Sequence, residues 1–288
     1  MAGTDLPIDP ARTAKLLGFE EPPRHAIDAV ASRDTALRVL AAAAGAAVTI
    51  SRLATDLQLW STAEFGMIRF PDRLIGGSSA MPQKRNAFLL EHLKAKPAAA
   101  IGAWTAVASA MKSTPFTNTI EVGTEALAGV WPGLAAVEDT VLLAQTVVSG
   151  ARPCPERMEQ RARQGFVTAT AAANTLVRAG VPFRTAHSAV AGAVRAAIDD
   201  GREELVLSAG PDLPGVSVPS VAEAVEQCRY GGGPGEFDAA FNAARTELVA
   251  DAAGSAQARA RLRDARERLA RAADEIAAGP RRSDGRHG

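Results

Sequence analysis

The stretch of sequence that decides the fold is residues 34–60, DTALRVLAAAAGAAVTISRLATDLQLW. It contains no proline and a single glycine, and its apolar residues recur at the three- and four-residue spacing of one helical face. At the rise of an α-helix, such a segment would form a rod of about 40 Å. Because this is far longer than the average helix, the stretch predicts a bundle or coiled coil that buries several helix faces.

Two further apolar segments continue the helical pattern. One covers residues 88–111 and is interrupted at Pro97, which should kink it. The other covers residues 125–149. The intervening GGSSAMPQ, residues 76–83, combines glycines, serines and a proline and predicts a loop. The chain is rich in alanine and has few stretches in which β-branched residues alternate with polar ones. Both features favour helices over sheets, so we expect an all-α protein built on a long-helix bundle.

The chain changes character after residue 150. Pro153 and Pro155 lie close together, which ends helices and stiffens a connection. The segments that follow predict short helices, and the last helix is expected over residues 256–278. The expected divisions are a central bundle domain over 1–150, a small C-terminal helical domain over 151–279 and a frayed tail over 280–288.

Composition limits the classes of function. The chain has 288 residues, 47% of them hydrophobic, and 32 Lys+Arg balance 32 Asp+Glu. A formal charge of +0 argues against nucleic acid or an anionic membrane as a partner. Cys154 and Cys228 lie far apart without metal-ligand spacing, so we expect neither a disulfide framework nor a metal site. No leader pattern and no unbroken apolar run of about 18 residues is present, which predicts a soluble, cytoplasmic protein.

The candidate chemistry lies in residues 76–86, GGSSAMPQKRN. Lys84 and Asn86 follow Ser78 on a loop that its glycines make mobile. An ammonium, a carboxamide and loop N–H groups could hold a carboxylate, and a serine in that positive field could ionise and remove a proton. The same composition also fits an ordinary polar loop between helices, so the residues alone leave both interpretations open.

GSSAMPQKRN, residues 77–86, resembles the GSSxMPxKxN signature of the aspartase/fumarase superfamily. Further segments resemble argininosuccinate lyase in the same order, among them AGTDLPIDPARTAKLLGF, SRLATDLQLWSTAEFG and GFVTATAAANTLVRAGVPFRTAH. The resemblance implies a carbon–nitrogen lyase of amino-acid metabolism, as in arginine biosynthesis, that acts on a small molecule by acid/base chemistry without metal or organic cofactor. It also implies that the helix bundle is the core of an oligomer, a homotetramer in that family.

The resemblance implies roles for particular residues. Ser78 matches the serine base that takes a proton beside a carboxylate, after which an amine leaves and fumarate remains. Glu91 matches the carboxylate that pairs with the catalytic histidine. The positions implied to bind substrate are Arg33, Ser79, Met81, Lys84 and Asn86. Without the resemblance, Arg33 would fit a helix-start ion pair with Asp28 or Asp34, and Glu91 an ordinary solvated helix residue.

The sequence departs from the family pattern in two places. No segment matches the Thr-His part that carries the general-acid histidine, which in the family precedes the point where this chain starts. None of the four histidines takes that role, these being His25, His92, His187 and His287. Where the family has a tyrosine, a glutamine and a lysine that bind argininosuccinate, this chain has Asn118, Gly123 and Ala126. These changes argue against argininosuccinate itself as the substrate.

Three interpretations remain open at this point. The first is a lyase subunit, in a homo-oligomer or completed by a separate chain that carries the N-terminal half with its histidine. The second is a non-catalytic oligomerisation or scaffold protein descended from a lyase, which the altered residues 118–126 favour. The third is a lyase that acts alone with water or another residue as the acid. The retained loop of residues 77–86 and Glu91 favour an enzyme.

Overall fold

The computed structural model describes residues 3–211 and 213–279 and is 68% helical. The prediction of an all-α fold built on long helices is confirmed. Strand structure in the described residues is limited to an antiparallel pair of two-residue strands, β1 (Ile68–Arg69) and β2 (Arg152–Pro153). The predicted frayed tail, residues 280–288, lies outside the described residues.

Eleven α-helices follow one another along the described residues. They are α1 (Pro10–Leu17), α2 (Ala26–Ala31), α3 (Asp34–Ser61), α4 (Phe88–Ala95), α5 (Pro97–Met111), α6 (Val130–Gly150), α7 (Pro155–Gln164), α8 (Ala169–Arg178), α9 (Phe183–Asp199), α10 (Val221–Gln227) and α11 (Phe237–Ala278). Short 3-10 segments cover Asp72–Leu74, Ala126–Gly129 and Pro234–Glu236, and a π-helical turn covers Glu121–Glu125.

The long helices of the predicted bundle are present with two changes. Helix α3 has nearly the predicted bounds, and the second segment is divided at Pro97 into α4 and α5, because proline has no N–H to donate and crowds the preceding turn. The third segment was expected as an α-helix from Glu125. Instead it passes through the π turn and a 3-10 turn over residues 121–129 before α6 begins at Val130.

The last helix is longer than the sequence predicts. The expected start near residue 256 is wrong, since α11 begins at Phe237 and continues through Gly254. One glycine costs a helix about 1 kcal/mol, which does not end a helix that continues on both sides. The chain breaks earlier, where Gly231 and Gly232 have left-handed φ values of +71° and +75°.

Contacts within the chain divide it into two compact units. One unit comprises the described parts of residues 1–36, 108–127 and 241–288, and the other comprises residues 37–107 and 128–240. The predicted domain boundary between residues 150 and 151 stays a prediction. Residues on both sides of it lie in the second unit, where β1 pairs with β2.

The second unit contains two separate hydrophobic cores. The first joins α3, α4, α6 and the segment after β1, and its buried members are Ala54, Leu57, Ile68, Phe70, Leu74, Leu90, Leu93, Ala144 and Val147. The second is formed by α8, α9 and the segments after them, and its buried members are Ala172, Ala173, Leu176, Val181, Ala186, Val190 and Leu205. The first core encloses both ends of the candidate loop.

In the first unit, α1 ends against α11. Gly18 caps α1 with a left-handed φ of +86°, and a Cβ there would be 3.0 Å from the Cβ of Ala265. A salt bridge of 3.0 Å between Glu20 and Arg261 joins the same two segments. The close approach of the two backbones therefore needs glycine at position 18.

Two helical segments are apolar over much of their length. Asp34–Ser61 and Glu121–Gly150 reach mean hydropathies of 1.4 and 1.3, and only 11% and 22% of those windows are buried. By length and composition both could cross a membrane, although helices from the core of a soluble bundle pass the same test. This measure revises the expectation from the sequence, which considered only unbroken apolar runs.

We predict that Gly133→Ala lowers the melting temperature. A Cβ at Gly133 in α6 would lie 2.6 Å from the Cβ of Ala103 and 3.2 Å from Cδ2 of Leu40, so overpacking outweighs the gain of roughly 0.5–1 kcal/mol that alanine normally gives a helix. Thermal unfolding followed by circular dichroism measures the effect. Gly192→Ala in α9 is the matched control, because a Cβ there meets nothing within 4 Å, and it should raise the melting temperature. Equal increases in both variants would contradict the close packing of α6.

Candidate functional site

The candidate loop is closed at its base by two backbone hydrogen bonds. The Gly76 N–H donates to the Asn86 carbonyl at 2.8 Å, and the Asn86 N–H donates to the Gly76 carbonyl at 2.9 Å. Just outside this pair, Leu74 and Leu90 are both buried in the first core of the second unit. The polar residues between them are thus presented from a fixed frame, while most of their side chains are exposed.

Glycine is required at the base of the loop. A Cβ at Gly76 would lie 2.9 Å from Cδ1 of Phe88, the first residue of α4. The Phe88 ring is itself held edge-on against His92, with 6.0 Å between the ring centroids. By contrast, a Cβ at the neighbouring Gly77 would meet nothing within 4 Å.

The Ser78 hydroxyl accepts two backbone hydrogen bonds. The N–H groups of Ala80 and Met81 donate to its Oγ at 3.2 and 3.1 Å. N–H donors directed at one oxygen can stabilise negative charge that develops on it. The predicted proton acceptor therefore lies within a small group of donors formed by its own loop, and Ser79 and Met81 have exposed side chains beside it.

Asn86 and Glu91 are brought together. The Asn86 carboxamide donates from Nδ2 to Oε1 of Glu91 at 3.2 Å. This hydrogen bond links the end of the loop to the first turn of α4 and orients a carboxylate that the sequence alone placed only by resemblance. Two residues assigned to different roles in the sequence analysis are thus direct neighbours.

The two cations of the loop differ in their partners. Arg85 forms a salt bridge with Asp72. The Lys84 side chain is exposed, and within residues 3–211 and 213–279 its ammonium group has no hydrogen bond or ion pair. Of these neighbouring positive charges, Lys84 is the one available to an anion.

Arg33 lies in the first unit and is anchored by neutral oxygens. Its Nη1 donates to the carbonyls of Val30 and Ser32 at 2.8 Å each, and its Nη2 donates to Oδ1 of Asn118 at 3.3 Å. These bonds differ from the ion pair with Asp28 or Asp34 that the sequence left open. Sequence reasoning noted Asn118 only as a departure from the family, because no local pattern links residues 85 positions apart.

The structure also bears on metal binding. Among the described residues, no group of three or more His, Cys, Asp and Glu side chains converges as metal ligands would. The expectation of a reaction without metal or organic cofactor stays a prediction.

We predict that Gly76→Ala opens the base of the loop. The new Cβ would displace the Phe88 ring and strain the hydrogen bonds to Asn86, so tryptic cleavage after Lys84 and Arg85 should become faster. Limited proteolysis followed by mass spectrometry gives the rates. Gly77→Ala is the matched control and should be cleaved at the rate of the unchanged chain, and Phe88→Ala combined with Gly76→Ala should restore slower cleavage. Unchanged cleavage in Gly76→Ala would contradict the frame described above.

The family models that match this chain assign it to a class of protein, the lyases. Residues 1–102 match the family model described as Lyase, and residues 166–213 match the one described as Argininosuccinate lyase C-terminal. The chain belongs to the argininosuccinate lyase family.

Individual relatives agree with this assignment. The chain is 39% identical to the argininosuccinate lyase of Thermus thermophilus over 204 residues, 70% of this chain and 44% of that protein. It is 37% identical to that of Alkalilimnicola ehrlichii over 275 residues, 93% of this chain and 55% of that protein. It therefore spans about half the length of the curated relatives it matches.

A solved structure covers more of the chain. A variant of EDDS lyase with bound fumarate is similar to 95% of this chain and 58% of its own, with a TM-score of 0.78 and 26% sequence identity. The recognition of an argininosuccinate lyase-like chain from its loop signature and flanking segments is thus confirmed.

Proposed function

We propose that this chain is a subunit of a carbon–nitrogen lyase that eliminates fumarate from an N-succinyl-type substrate. The observation that carries the proposal is the Ser78 hydroxyl, which receives two backbone N–H donors at 3.1 and 3.2 Å inside the loop signature. Membership of the argininosuccinate lyase family and the similarity to an EDDS lyase variant with bound fumarate support it.

The proposed reaction begins with proton removal by ionised Ser78 from the carbon next to a substrate carboxylate. The electron pair of that C–H bond moves into the carboxylate, where Lys84 and Asn86 stabilise the added negative charge. As the pair returns, it forms the carbon–carbon double bond of fumarate and the C–N bond breaks. The leaving amine takes the C–N electron pair and receives a proton from a general acid.

The general acid is proposed to come from another chain. Three histidines of this chain have local contacts: His25 caps α2 by accepting the Ile27 N–H at 3.2 Å, while the rings of His92 and His187 each lie beside a phenylalanine. The fourth, His287, lies outside the described residues. Glu91, whose Oε1 accepts from Nδ2 of Asn86 at 3.2 Å, is the carboxylate proposed to pair with that histidine.

The partners follow from the exposed apolar residues of the long helices. Trp104 in α5, Trp131 and Leu142 in α6 are 40%, 75% and 55% exposed in the single chain, and such surface is buried in subunit interfaces. We propose a tetrameric bundle in the cytoplasm, either of identical chains or together with a chain that carries the N-terminal half of a lyase.

Ser78→Ala tests the proposed base. It should reduce fumarate formation by at least about a hundredfold, because no other group on the loop accepts the proton, while the melting temperature stays within a few degrees. The assay follows fumarate by ultraviolet absorbance with argininosuccinate and other N-succinyl amines as substrates. Arg85→Ala, on the same loop but paired with Asp72, is the control and should keep most of the activity. Full activity in Ser78→Ala would refute the assigned role.

A second candidate function is a scaffold without catalysis. It is favoured by Asn118, Gly123 and Ala126, which replace the tyrosine, glutamine and lysine of the family's substrate-binding stretch. A scaffold needs the apolar helix faces but not the donors around Ser78.

Co-assembly separates these candidates. If a second chain completes the site, mixing this chain with an N-terminal-half lyase chain should give a larger species on size-exclusion chromatography and fumarate formation that neither chain shows alone. The same mixture made with Ser78→Ala should assemble but form no fumarate. Assembly without activity for any N-succinyl substrate would support the scaffold, and absence of assembly would end the two-chain proposal.

A further inference from the structure

Two of the positions where this chain departs from the family pattern, Asn118 and Gly123, lie beside Arg33 in the first unit. We propose that Asn118 is a positioning residue that orients Arg33 for a substrate carboxylate without cancelling its charge, and that Gly123 provides the space that Asn118 occupies. The inference rests on the proposed function, in which Arg33 binds substrate. It adds that Asn118 and Gly123, two of the altered residues, together determine the orientation of Arg33.

The hydrogen bonds of Arg33 leave specific donors for a ligand. A guanidinium has five N–H donors. Nη1 uses its two on the carbonyls of Val30 and Ser32, and Nη2 uses one on Asn118. Within the described part of the chain, the Nε–H and the second Nη2–H have no acceptor. Arginine offers a pair of donors of this kind to the two oxygens of a carboxylate.

The neutrality of the acceptors keeps the positive charge of Arg33 available. Carbonyl and carboxamide oxygens accept hydrogen bonds without a full negative charge, and they hold the guanidinium in one orientation. An aspartate at position 118 would make the same hydrogen bond but would neutralise the cation. A carboxylate ligand would then meet a neutral pair instead of a free cation.

The side chain of Asn118 occupies the space that a side chain at position 123 would need. A Cβ at position 123 would lie 2.9 Å from Oδ1 of Asn118 and 3.8 Å from Nη2 of Arg33. The N–H of Gly123 donates to the Thr119 carbonyl at 2.8 Å, so the backbone cannot move away without losing this bond. Any larger residue therefore displaces the Asn118 carboxamide, and the Arg33 contact is lost with it. Turns of this π type occur often at functional sites.

Fumarate titration tests the charge argument. The full chain is titrated with fumarate by isothermal titration calorimetry, and each variant is also unfolded thermally. Asn118→Asp should keep or raise the melting temperature and should weaken fumarate binding by at least about tenfold, because the new carboxylate competes for Arg33. A purely structural role for Asn118 predicts unchanged affinity in this variant, and that result would overturn the proposal.

A double-variant cycle tests the spatial argument. Gly123→Ala should weaken fumarate binding in the Asn118 background but have no further effect in the Asn118→Ala background, where the displaced atom is absent. Ala126→Gly, three residues further on, is the control and should leave the coupling intact. Independent, additive effects of the changes at 118 and 123 would overturn the role given to Gly123.

The two proposals fail in different ways. If the unchanged chain binds fumarate and Asn118→Asp binds it equally well, the positioning role given to Asn118 is wrong while the lyase proposal stands. If the unchanged chain binds no fumarate, either alone or mixed with an N-terminal-half lyase chain, both the carboxylate role of Arg33 and the site proposed for the lyase are overturned. Loss of activity in Ser78→Ala together with unaltered fumarate binding would leave this inference standing.

Discussion

The site depends on one constraint, which is that a polar, glycine-bearing loop must begin and end at fixed points. Leu74 and Leu90 fix these points by burial in one core, and the reciprocal backbone bonds between Gly76 and Asn86 close the loop between them. Because the base is closed, the loop can use its own N–H groups on Ser78 instead of leaving them to water. The buried leucines thus determine where the residues of the candidate site are held.

Much of the fold was predictable from the sequence because its signals are local. Helical spacing and the absence of proline located α3, and Pro97 marked the division between α4 and α5. The π turn before α6 was not predicted, since its hydrogen-bond pattern depends on the packing of the turn and not on residue spacing. The early start of α11 was missed because weak breakers such as Gly254 are overruled by the helix around them.

The candidate site was predictable to a different extent. The signature indicated Ser78, Lys84 and Asn86, and resemblance indicated Glu91, but neither showed that Asn86 donates to Glu91. The contact of Arg33 with Asn118 joins residues 85 positions apart, so it depends on tertiary structure that no motif encodes. The departures at Asn118 and Gly123 were more informative together than singly, because a Cβ at position 123 would lie 2.9 Å from Oδ1 of Asn118.

The long apolar helices are only partly buried in the single chain, and this has a consequence for its stability in solution. In the proposed oligomer, a segment such as Asp34–Ser61, with 11% of its most apolar window buried, would gain much of its hydrophobic stabilisation from the neighbouring subunits. The folding equilibrium is then coupled to association, and the melting temperature rises with protein concentration. Dilution would then destabilise the fold. Newly synthesised chains that do not assemble would expose hydrophobic surface to chaperones and proteases.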